Sequence, residues 1–181
     1  MRSLLFVPGD DEKKLSKAAG TGADILLIDL EDAVAPARKE AARAITADYL
    51  RSRNGESGQS LYVRVNALDT GLTDLDLDGI CHAAPHGIML PKANSGRDVT
   101  HLGVKLAVRE AEADLPDGSI RILAIALEQA RALFEMGSFS GSSQRLSGLT
   151  WGAEDLATDL GAAGSRNAEG HFAEPFALAR M

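Results

Sequence analysis

The stretch Leu146-Ser-Gly-Leu-Thr-Trp-Gly-Ala-Glu-Asp-Leu-Ala-Thr-Asp159 holds one complete strand-to-helix unit. A largely apolar run from Leu146 to Trp151 stops at Gly152, Glu154 and Asp155 follow at once, and Leu156, Ala157 and Leu160 then recur at helical spacing. Acids placed where a helix begins share a small space with unpaired backbone N–H groups, which suits a metal ion together with an anion. Acids at that position also serve simply as helix caps, so the remaining chain has to decide between the two.

Working outward, the same unit recurs. Leu4 to Val7 is a short apolar strand closed by Pro8-Gly9, and Asp10 or Asp11 caps a helix carrying Leu15 and Ala18. Asp24-Ile-Leu-Leu-Ile-Asp29 is a second strand running into Leu30-Glu31-Asp32, and Pro36 opens a helix with Ala41, Ile45 and Tyr49 along one side. Leu61 to Asn66 and Gly87 to Lys92 are the third and fourth strands, separated by a weaker helical stretch from Leu75 to Ala84. Ser95 with Asp98 forms a capping-box pattern ahead of Val99, Leu102 and Leu106. Arg121 to Glu128 is the fifth strand, followed by a predicted helix with Ala130, Leu133 and Phe134 that ends near Gly137. Gly55 to Ser60 reads as an exposed loop, and Pro175 as a helix start in a mixed tail.

Fully apolar strands alternating with helices predict parallel strands buried on both faces. A doubly wound sheet and a (β/α)8 barrel both fit that pattern. No glycine-rich dinucleotide fingerprint and no Walker sequence occurs, which weakens the nucleotide-binding versions of the open sheet.

Composition bounds the rest. At 181 residues and 45% hydrophobic, the chain suits one sizeable core, predicting a single barrel domain over residues 1–181. A formal net charge of −7 argues against nucleic acid or an anionic membrane as a partner. One cysteine excludes an internal disulfide and a multi-cysteine zinc site, and fits a reducing cytoplasm. The N-terminal apolar run breaks at Pro8, too early for a signal peptide.

The ionisable residues favour the barrel. Asp29, Glu31 and Asp32 close strand two, Arg64 and Asn66 strand three, Lys92 strand four, Glu128 strand five, and Glu154 and Asp155 strand six. In a parallel barrel these carboxyl ends share one rim, where such enzymes do their chemistry. Side-chain alternation places Arg64 beside Asn66 on one face, and Glu128 over the small Ala126 and Ala124. With no histidine on these strand ends, the donors are oxygen-only and suit Mg²⁺, Mn²⁺ or Ca²⁺ over zinc. Glu128 and Asp155 form the expected metal pair, and Arg64 offers a planar fork for a substrate carboxylate. Lys92 is expected to pair with Asp29 or Glu31; with Asp32 and Asn66 these are supporting residues. His82, His86, His101 and His171 fall on helices or loops and read as surface or packing residues.

Leu5-Phe-Val-Pro-Gly9, Ile28-Asp-Leu-Glu-Asp-Ala-Val34, Arg64-Val-Asn66, Leu90-Pro-Lys92, Ala126-Leu-Glu128 and Trp151-Gly-Ala-Glu-Asp-Leu156 resemble, in order, the motifs of the citrate lyase β subunit group. That group belongs to the aldolase/citrate lyase superfamily of Mg²⁺-dependent (β/α)8 barrels. The resemblance implies making or breaking a C–C bond between an oxo acid (oxaloacetate, glyoxylate or pyruvate) and an acyl thioester of coenzyme A or of an acyl carrier protein. It implies Mg²⁺, with Mn²⁺ as a substitute, on Glu128 and Asp155, and Arg64 on the oxo-acid carboxylate. Glu128 would also lie against the substrate, and backbone N–H groups of Ala153, Glu154 and Asp155 would receive the carboxylate. A homo-oligomer, trimeric or hexameric, is implied as well.

The group's members continue beyond this chain's length, so the resemblance predicts a barrel truncated to about six βα units. Some relatives take an acidic catalytic residue from a neighbouring subunit's C-terminal region, and the motifs quoted supply no general base. Lys13, Lys14, Arg38 and Lys39 are the expected coenzyme A contacts. Two other readings keep the same site: a thioester hydrolase or simple oxo-acid aldolase, and a non-catalytic binding or structural subunit.

Overall fold

Six strands pair in the order β1-β2-β3-β4-β5-β6, every pairing parallel. They are β1 (Leu4–Pro8), β2 (Ile25–Asp29), β3 (Ser60–Arg64), β4 (Gly87–Leu90), β5 (Arg121–Leu127) and β6 (Leu146–Trp151). A doubly wound sheet reverses its strand order partway across; this sheet never does, so it is an arc of a barrel wall. The computed structural model describes residues 2–53 and 58–180. Residues 55–57 of the expected loop lie outside these, and Ser60 already belongs to β3.

The wall has two apolar faces, which is why its strands lack polar alternation. Ile25, Leu27, Tyr62, Met89, Leu123 and Ile125 form the inner layer. Leu26, Ile28, Val63, Ile88, Ile122 and Ala124 face the helices in a larger outer core. The helices are α1 (Glu12–Ala18), α2 (Lys39–Arg53), α3 (Thr73–Ile80), α4 (Gly96–Glu112), α5 (Ala153–Asp159) and α6 (Glu174–Arg180). Asp11 caps α1 by accepting Lys14 N–H at 3.0 Å. Asp98 supplies its arm of the predicted capping box, accepting the N–H groups of Ser95 and Asn94, and α4 buries Val99, Leu102 and Leu106 completely. Among the described residues no helix is long and apolar enough to cross a membrane.

Two elements differ from expectation. The buried stripe of α2 runs through Ala42, Thr46, Ala47 and Leu50, with Ala41, Ile45 and Tyr49 flanking it half-buried. The helix predicted after β5 is instead two 3-10 turns, Ala130–Phe134 and Met136–Phe139. Tertiary contact is the cause. Phe139 anchors the turns in the core while Ser138 Oγ accepts Gly96 N–H at 2.9 Å. A Cβ on Gly96 would stand 2.0 Å from the Ser138 carbonyl oxygen, so only glycine admits this approach. Phe134, placed on that predicted helix beside Leu133, is left 89% exposed.

Candidate active site

Between the inner faces of β1 and β6 opens a cavity of about 450 Å³, lined by Phe6, Leu27, Met89, Ile125 and Trp151 below and by Arg64, Glu128 and Gly152 at the carboxyl rim. Its apolar walls lower the local dielectric and make the rim charges count for more.

Strict alternation would put Glu128 with Ala124 and Ala126, and the structure overturns this. Those alanines lie in the outer core, as does Leu127. The β5–β6 register slips between Ile125 and Leu127. That irregularity places two consecutive residues on the helix side and returns Glu128 to the inner face beside Leu123 and Ile125. Space for its carboxylate comes from Gly152 across the pairing, where an added Cβ would meet Glu128 Cγ at 2.9 Å and Oε1 at 3.1 Å.

Glu128 is 4% exposed and accepts the backbone N–H of Lys92 on Oε2 at 2.6 Å. Lys92 reaches this position with φ at +52°, a left-handed conformation that costs a non-glycine residue about 1 kcal/mol or more. Burial, a hydrogen bond with Asp155 and the charges of Asp155 and Glu31 push Glu128 up to about 8, against the pull of the Lys92 N–H. The two nearby cations, Arg64 and Lys92, meanwhile form their ion pairs with Asp29 and Glu31.

Arg64 is spent chiefly on Asp29. Its Nε and Nη2 donate to Asp29 Oδ1 and Oδ2 at 2.8 and 2.7 Å. Nη1 lies 3.0 Å from Glu31 Oε2 and 3.7 Å from the more exposed Asp32, and the Phe6 ring stacks 4.9 Å beneath the guanidinium. Asp29 also accepts the N–H groups of Glu31 and Ala33, closing the turn after β2. Burial works against the Asp29 charge, but Arg64 and those two N–H groups hold it below the ordinary carboxylate value. Burial likewise works against Arg64, which its acids nevertheless keep above the usual arginine value. Lys92 Nζ donates to Glu31 Oε1 at 2.6 Å. Burial raises Glu31, and Lys92 and Arg64 offset only part of that.

The remaining expected residues divide. Asn66 turns out of the rim: its Nδ2 donates to Asp76 and to Leu30 O, and its Oδ1 accepts from Lys39. Lys39 is thereby no ligand contact; its ammonium donates to Leu30 O, Glu31 O and Asn66 within 2.8 Å. Glu154 is exposed to solvent, whereas Asp155 beside it is half-buried. Arg38 pairs with Asp10 and Lys14 with Asp11. His86 Nδ1 accepts Leu61 N–H, a packing role. Among the described residues no group of three or more His, Cys, Asp or Glu side chains converges to cage a metal. Glu128 and Asp155 could hold a hard cation such as Mg²⁺ only as an oxygen pair, with most positions around the ion left to other oxygens.

The sequence model of the HpcH/HpaI aldolase/citrate lyase family matches residues 2–180. The citrate lyase subunit beta of Leuconostoc mesenteroides subsp. cremoris is 32% identical over 159 residues, covering 88% of this chain and 52% of that protein. A (3S)-malyl-CoA thioesterase of Cereibacter sphaeroides is 34% identical over 166 residues, covering 88% and 51%. The crystal structure of the protein CitE from Mycobacterium tuberculosis with magnesium, acetoacetate and coenzyme A superposes with a TM-score of 0.73 at 32% identity, over 98% of this chain and 58% of that one. The chain spans about half the length of the curated relatives it matches. With the family model spanning nearly every residue and a sequential parallel sheet beneath it, this chain belongs to the HpcH/HpaI aldolase/citrate lyase family.

Proposed function

We propose that this chain carries the metal and oxo-acid site of a lyase that makes or breaks a C–C bond between an oxo acid and an acyl thioester of coenzyme A or an acyl carrier protein. One observation carries the reading: Glu128 lies buried at the mouth of an apolar cavity under the influence of the Asp155 carboxylate, while Arg64 and Lys92 are paired with Asp29 and Glu31. A related structure holding magnesium, acetoacetate and coenzyme A supports it.

In this reading Glu128 and Asp155 hold Mg²⁺, or Mn²⁺ in its place. When bound, that ion would supply Lewis acidity to the oxo-acid carbonyl oxygen, which carries the negative charge when the bond forms and passes it to the thioester enolate when the bond breaks. Arg64 contributes positive charge from its outer N–H groups to the oxo-acid carboxylate. Asp29 fixes the guanidinium plane, so no conformational freedom has to be lost when substrate arrives. The Lys92 N–H sets the Glu128 carboxylate, and Gly152 leaves it room. Backbone N–H groups of Ala153, Glu154 and Asp155 complete the anion pocket, and the apolar wall from Phe6 to Ile125 keeps water from the thioester enolate. We further assign the whole of residues 1–181 to one barrel domain, acting within a homo-oligomer.

A second reading, hydrolysis of the thioester on the same residues, draws support from the malyl-CoA thioesterase relative. A coupled assay separates them: Mg²⁺-dependent release of acetyl-CoA with an oxo acid from malyl-CoA or citryl-CoA indicates the lyase. Free thiol appearing without acetyl-CoA indicates the hydrolase. Neither product, with Mg²⁺ and oxaloacetate still raising the melting temperature, would reduce the chain to a binding subunit and overturn the proposal.

A further inference from the structure

We propose that a second cavity, formed by the segment after α5, is a binding site for a diphosphate-type anion. Residues 166–172 fold as a short hairpin, with Arg166 bridging Phe172 and the Asn167 side chain accepting the N–H groups of Glu169 and His171. Phe176 and Ala179 of α6 are buried and seat the segment on the core. The cavity measures about 510 Å³ and is lined by Arg166, Gly170, His171, Phe172, Ala177 and Arg180, with no acidic side chain among them.

Two guanidinium groups address one ring. Arg166 Cζ stands 3.7 Å and Arg180 Cζ 5.8 Å from the Phe172 centroid. Stacking on an aromatic ring orients a guanidinium without consuming its five N–H donors. Arg166 gives one to Gly170 O at 2.7 Å. Among the described residues neither arginine forms an ion pair, although Glu169 and Glu174 belong to the same segment. In a chain of net charge −7, two arginines with no ion pair among the described residues, lining one acid-free hollow, run against the background. Two forks with most donors unspent match the several oxygens and double charge of a phosphoryl group better than a single carboxylate. Phe172 meets Trp151 edge-on at 5.3 Å, and Trp151 lines the Glu128 cavity, so the two hollows share an aromatic wall.

The anion has two possible sources, the diphosphate of a coenzyme A thioester or a free polyphosphate. The site stands without the lyase reading; only its assignment to the thioester would rest on it. The test is calorimetric titration of the chain with sodium pyrophosphate in the absence of Mg²⁺, with fluorescence of Trp151, the single tryptophan, as a second readout. Saturable binding is expected, weakened about tenfold or more by Arg166→Gln or Arg180→Gln. Arg180→Lys, which keeps the charge, should recover part of it, and Arg121→Gln at the exposed foot of β5 should leave it unchanged. Mg²⁺ with oxaloacetate should stabilise every variant as it does the parent, showing that folding and the rim are intact. Competition by coenzyme A and dephospho-coenzyme A but not by pantetheine assigns the site to the thioester. Pyrophosphate binding that coenzyme A cannot displace assigns it to free polyphosphate, with the site upheld. Absent binding, or binding equal in the parent and both glutamine variants, overturns the proposal, whatever the lyase assay shows.

Discussion

Adding Mg²⁺ to the metal-free chain is expected to expel a proton from the Glu128–Asp155 pair. Burial and the neighbouring carboxylates push Glu128 up to about 8, so at pH 7 roughly nine-tenths of molecules hold that proton and at pH 9 roughly one-tenth do. A metal-bound carboxylate must release it. Binding enthalpies measured at pH 7 in buffers of low and high ionisation enthalpy should therefore differ with a slope of roughly 0.9 proton, falling to about half at pH 8. Apparent Mg²⁺ affinity should rise about tenfold per pH unit below 8 and level off above it. The same group sets a stability profile. An acid whose folded-state value is raised holds its proton more tightly in the folded chain. Its contribution is therefore fully present below the ordinary value of 4.5 and lost as pH rises through about 8. Metal-free melting temperature should fall across that window, and saturating Mg²⁺ should reverse the fall. A slope of zero at pH 7, or one that persists in Glu128→Gln, would refute the reasoning.

Three further outcomes are expected. Gly152→Ala drives a Cβ to within 2.9 Å of Glu128 Cγ and should weaken Mg²⁺ roughly 10–100-fold by displacing that carboxylate; calorimetry giving an unchanged affinity would contradict the assigned cradle. Arg64→Ala should abolish oxo-acid binding while leaving Mg²⁺ affinity largely intact. It also strands buried Asp29 and should cost about 3–5 kcal/mol in a urea melt, so Arg64→Lys, which keeps the charge and loses the fork, is the cleaner probe; oxaloacetate or pyruvate binding unchanged in both refutes the role. Arg145→Ala leaves Glu110, which Arg145 grips at 2.7 and 2.8 Å, buried without its cation. It should cost about 3–5 kcal/mol of stability, and Glu110→Leu with Arg145→Met much less; equal costs would show that the pair is not acting as a unit.

Much of the fold was legible in local pattern. Apolar runs four to eight residues long that end in turn residues announce buried parallel strands whatever their neighbours are, because a strand covered on both faces has no polar side. The helix caps at Asp11 and Asp98 were readable for the same reason, since a cap is a bond between residues three or four apart. Charges at the ends of successive strands pointed to the rim, where Arg64 meets Asp29 and the Lys92 N–H meets Glu128. What each rim residue does was decided by contacts between distant parts of the chain. Alternation turned Glu128 towards the helices, and a slip in pairing with β6 turned it back into the cavity. No local rule predicts that the fork of Arg64 closes on Asp29 or that Lys92 adopts a positive φ to reach Glu128. Nor does one predict that Glu110 of α4 and Arg145, just ahead of β6, form a buried ion pair. Hydrophobic period is a property of neighbours along the chain, so the sequence alone determines elements and layers. Pairing register, side-chain partners and the space left by a facing glycine depend on residues far apart in sequence, so only the tertiary structure decides them.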